Sequence, residues 1–159
     1  MIQGLRVNPI GKRLPSVSGK TLAGVIVHFP EDVAGTASIL FVAYRRGTQD
    51  DTDKWVALLQ AQTTDVEWYE VPTIASMVWR SLAGWIDSGM RSGVSKDKWS
   101  RVVTIYDDAP KLRDFLGDSR QDLTHVVVLD RKGTVVWFNS EGFSEQNGRV
   151  LLNLLNRIE

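Results

Sequence analysis

Between Ser38 and Arg45 the chain passes through six apolar residues without a break: Ile39, Leu40, Phe41, Val42, Ala43 and Tyr44. A strand with one wet face alternates apolar and polar residues. An unbroken run buries both faces and predicts a strand in the middle of a sheet. A ten-residue polar turn follows, from Arg45 to Lys54. Thr48, Asp50, Asp51 and Thr52 can each cap a helix. A helix is therefore predicted from about residue 51 to Thr63-Thr64, with Trp55, Val56, Leu58 and Leu59 as its buried stripe. The loop from a central strand into a helix N-terminus is where open α/β sheets place their chemistry. Here that loop contains no cysteine, histidine or serine.

The absence extends to the whole chain, which has no cysteine in 159 residues. Thiol redox chemistry, disulfides and thiolate metal sites are excluded. His28 and His125 are far apart in sequence, so no multi-histidine metal site is predicted, and no cofactor. Nineteen basic residues balance nineteen acidic ones, which leaves no net electrostatic footprint for nucleic acid or an anionic membrane. No apolar run approaches the roughly 20 residues that span a bilayer, and residues 1–10 lack the apolar core of a signal peptide. The expectation is a soluble chain of unassigned compartment and oligomeric state.

The other elements follow from local pattern. Residues 1–20, rich in Gly, Pro, Lys and Arg, read as an extended lead-in, and 21–159 as a single domain. A strand or hairpin is expected over 21–29, closed by Pro30, and a strand over 66–71, stopped by Pro72. Ile74, Met77, Val78, Leu82 and Ile86 have helical spacing over 73–88. Residues 101–106 form a strand, and Asp107-Asp108-Ala109-Pro110 opens a short helix that Gly117 ends. Residues 125–129 and 134–138 flank Asp130-Arg131-Lys132-Gly133 as a hairpin. A last helix over 144–158 turns Val150, Leu151, Leu154, Leu155 and Ile158 inward. This order predicts an α/β fold: a mixed sheet, mostly parallel with a C-terminal antiparallel hairpin, covered by helices on both faces.

That order resembles the thioredoxin-like fold in its peroxiredoxin-type form. The matching words are Leu14-Pro15 through Leu22-Ala23-Gly24, the run Ile39–Tyr44, Ile105-Tyr106-Asp107-Asp108, and Val128–Val135. Within that fold the chain is similar to the ATP synthase assembly-factor family, relatives of mitochondrial ATPase assembly protein ten. Phe41–Gln49 with Trp55, Tyr69-Glu70-Val71, Met90-Arg91, and Leu129–Trp137 with Gly142 carry the likeness. The resemblance implies a protein-binding assembly role, with an ATP synthase subunit as partner. Two departures from the wider fold stand out. The loop has Arg45-Arg46-Gly47-Thr48-Gln49-Asp50 where Cys-x-x-Cys is expected, and Thr124-His125 stands where Thr-Pro is expected.

The candidate binding residues are Arg45, Arg46, Gln49, Met90, Arg91 and His125. Arg45 and Arg46 read either as an anion or carboxylate site beside helix donors, or as surface partners of Asp50, Asp51 and Asp53. His125 reads as a structural histidine or as a base that lacks an evident nucleophile. Asp107-Asp108 reads as a cap more readily than as a metal site. Six tryptophans (55, 68, 79, 85, 99 and 137) supply core, or, for 79, 85 and 99, an interface. The leading expectation is a non-catalytic, protein-binding, chaperone-like assembly factor. The alternatives are a small-molecule or anion binder, or a non-redox enzyme, using the former active-site cleft. A third is a scaffold domain of a larger redox complex.

Overall fold

The computed structural model describes residues 8–62, 66–74, 96–117 and 120–158, with Arg46, Lys96 and Asp97 described in their backbone alone. The strands are β1 (Val17–Thr21), β2 (Ile26–Phe29), β3 (Ser38–Ala43), β4 (Glu67–Pro72), β5 (Val103–Thr104), β6 (His125–Leu129) and β7 (Val135–Asn139). The helices are α1 (Gln49–Gln60), α2 (Ala109–Leu116) and α3 (Glu145–Ile158). Strands pair in the orders β2-β1-β5 and β4-β3-β6-β7. Parallel bridges Glu70–Val102 and Thr73–Ile105 join β4 to β5.

The unbroken run does occupy the middle. β3 lies parallel to β4 and antiparallel to β6, with Phe41 opposite Glu70 on one side and Val126 on the other. Among the described residues, parallel pairing is confined to β5, β4 and β3; the β1–β2, β1–β5, β3–β6 and β6–β7 pairs are antiparallel. Alternate residues of β3 serve two cores. Ile39 and Phe41 pack with Trp55, Val56 and Leu59 of α1 and Leu151 and Leu155 of α3. Leu40, Val42 and Tyr44 pack with Ala109, Leu112 and Leu116 of α2. The helices thus cover both faces, as a run apolar on both sides requires.

The closing hairpin forms because Asp130 organises its own turn. Its Oδ1 accepts from Lys132 N at 2.9 Å and Thr134 N at 3.0 Å, and Gly133 adopts φ +82°.

Several boundaries differ from the sequence reading. The first hairpin begins at Val17, inside the expected lead-in. Val17-Ser18-Gly19-Lys20 is too polar to read as a strand, but Gly19 lets β1 close on β5: a Cβ there would lie 2.6 Å from Val103 Cγ1. α1 starts at Gln49, because the 3-10 turn Arg46–Thr48 runs straight into it, and ends at Gln60. Its buried stripe is Thr52, Trp55, Val56 and Leu59, so Thr52 takes the place expected of Leu58. In α3, Val150 is 43% exposed rather than inward. The buried line runs Gly148, Leu151, Leu155 at helical spacing, and Val150 lies off it. Asp108 occupies the N-cap of α2 without a side-chain cap bond; its Oδ2 accepts from Ser18 N at 2.8 Å and ties α2 to β1.

Thr73 and Ile74 are still extended, held by Thr73 N donating to Ala43 O and Ile74 N donating to Ile105 O. The remainder of the expected 73–88 helix, with Trp79 and Trp85, lies outside the described residues. Trp55 and Trp68 are buried, as core tryptophans should be; Trp99 and Trp137 are half-buried.

Candidate functional site

Two backbone segments meet at the start of α1. One is the loop from Tyr44 to Thr48, delivered by the C-terminal end of β3. The other is the residue before β6, Thr124. A set of hydrogen bonds fastens them together. Asp51, in the first turn of α1, accepts from Thr124 N at 3.0 Å through Oδ2 and from Phe143 N at 2.7 Å through Oδ1. Thr52 Oγ1 and Thr124 Oγ1 are 2.6 Å apart, both side chains buried. Thr52 Oγ1 also lies 3.3 Å from Thr48 O, and Thr48 Oγ1 donates to Gln121 O at 3.2 Å. The carboxylate at this helix N-terminus is favourably placed in the helix field, and both its oxygens are engaged within the chain.

The predicted residues take different positions around this knot. Arg45 is exposed and, among the described residues, makes no ion pair, so neither Asp50, Asp51 nor Asp53 neutralises it. Arg46 opens the 3-10 turn in its backbone. Gln49 Nε2 donates to Asp53 Oδ1 at 2.7 Å and to Glu70 Oε1 at 3.1 Å. His125 is fully buried, with Nε2 at 3.2 Å from Arg120 O and its ring edge-on to Tyr44 (4.8 Å) and Phe138 (5.8 Å). Met90 and Arg91 lie outside the described residues. Arg45 and Gln49 therefore share one loop edge, whereas His125 sits inside the core behind it.

The surroundings of Gln49 are acidic. One amide nitrogen bridges two carboxylates from different elements, α1 and β4. Burial pushes the Glu70 carboxyl above its ordinary range; the Gln49 bond opposes this, and the Asp53 charge adds to it, with Lys98 acting the other way.

Arg113 is the residue the sequence reading passed over. Its guanidinium stacks over the Tyr44 ring at 4.8 Å, and Nη2 donates to Gln121 Oε1 at 3.2 Å. Tyr44 OH in turn donates to Gly117 O at 2.9 Å. Arg113 lies 68 residues beyond Arg45 in the sequence, in a helix with no motif, so no local signal marked it.

Among the described residues no helix is long and apolar enough to cross a membrane, and no group of three or more His, Cys, Asp or Glu could hold a metal ion. No family model and no curated protein matches the sequence. Solved structures do. A SCO1/SenC family lipoprotein from Bacillus anthracis is similar with a TM-score of 0.65 at 13% identity, covering 98% of this chain and 99% of that one. BsSco, a member of the Sco family of cytochrome c oxidase assembly proteins, gives 0.64 at 8% identity, covering 98% of each. The thioredoxin domain of a thiol-disulfide oxidoreductase from Bacteroides vulgatus gives 0.61 at 16% identity, covering 92% of this chain and 98% of that one. These likenesses are in fold, and with the strand order they make this chain a thioredoxin-like α/β domain without a cysteine.

Proposed function

We propose that this chain is a non-catalytic, protein-binding thioredoxin-like domain, an assembly factor or chaperone-like protein that uses no cofactor. The observation that carries the reading is the hydrogen-bonded knot at the start of α1. Where a thioredoxin-like enzyme needs an accessible reacting group, Asp51, Thr52 and Thr124 spend their polar atoms on each other and on backbone N–H groups. Nothing there replaces a thiolate as electron donor. The acidic setting of Gln49 also weighs against an anion bound at that residue. The sequence resemblance makes an ATP synthase subunit the first partner to test. The Sco-type likeness supports assembly as the kind of role, since one such protein belongs to a family of assembly proteins.

The test is affinity capture with the tagged full chain from detergent-solubilised membranes of the source organism. Recovery of ATP synthase subunits at near-stoichiometric yield supports the reading. Recovery of a soluble metabolic complex in their place overturns it. So does disulfide reductase, isomerase or peroxidase turnover that tracks with the protein through purification.

A further inference from the structure

We draw no further inference here: the strongest candidate, the surface patch at the tip of the β1–β2 hairpin where Val25 and Ile26 are exposed and Lys20 lies opposite Ile26, carries none, because nothing in the structure shows what covers it.

Discussion

Asp51→Ala is the substitution that most directly tests whether the start of α1 is a structural knot. The side chain accepts from two part-buried backbone N–H groups, on Thr124 and Phe143. Removing it leaves both donors without their partner, at about 1–3 kcal/mol each. It also removes a carboxylate from the first helical turn, worth about 0.3–1 kcal/mol. Asp50→Ala isolates that second effect, because Asp50 shares the first turn, is exposed, and reaches neither donor. The difference between the variants is therefore the knot alone, about 2–6 kcal/mol. With a urea m-value of about 2 kcal/mol/M, a central loss of about 4 kcal/mol lowers the unfolding midpoint by about 2 M. Paired urea titrations followed by tryptophan fluorescence measure it. Midpoints for Asp51→Ala and Asp50→Ala within about 0.3 M of each other would refute the knot, and with it the observation that carries the proposed function.

The Glu70 carboxyl holds its proton to higher pH in the folded chain than its ordinary value of 4.5. Between those two values the folded state binds more protons, so this residue's contribution to stability rises as pH falls through the folded value. Glu70→Gln, which keeps an acceptor for Gln49, should flatten that part of the pH–stability curve; an unchanged curve would contradict the placement. Gly133→Ala should lower the melting temperature by several degrees: φ is +82° and the new Cβ would lie 2.7 Å from Pro30 Cβ, so the left-handed cost of about 1–2 kcal/mol is a lower bound, and a melt superimposed on wild type would refute it. His125→Phe suits both ring contacts and loses the bond to Arg120 O, at about 1–3 kcal/mol for that bond. Partner capture should survive it, and loss of capture with the fold intact would make His125 a binding residue.

What the sequence made legible was what local pattern controls. The apolar run of β3 could be read because burial on both faces leaves no polar position in it. The β6–β7 hairpin could be read because Asp130 bonds to the N–H groups two and four residues ahead. Where packing decides, the reading slipped. Gly19 hides β1, since its role is to be small beside Val103. Val150 has the right chemistry for the core but falls off the line set by Gly148, Leu151 and Leu155.

The candidate site belongs almost entirely to the second kind. Asp51 reaches Thr124 across 73 residues and Phe143 across 92. Arg113 meets Tyr44 only because α2 lies across the face of the sheet on which Tyr44 turns inward. A carboxylate at a helix start reads locally as a cap, and an arginine in a short helix reads as solvated; both readings are right for most sequences. Here the fold converts each into something else. Asp51, in the first turn of α1, holds the backbone N–H groups of Thr124 and Phe143 there. That same closure fixes Gln121 through Thr48, and Gln121 holds the guanidinium of Arg113. The start of α1 and the guanidinium of Arg113, far apart in sequence, are thus linked through Thr48 and Gln121.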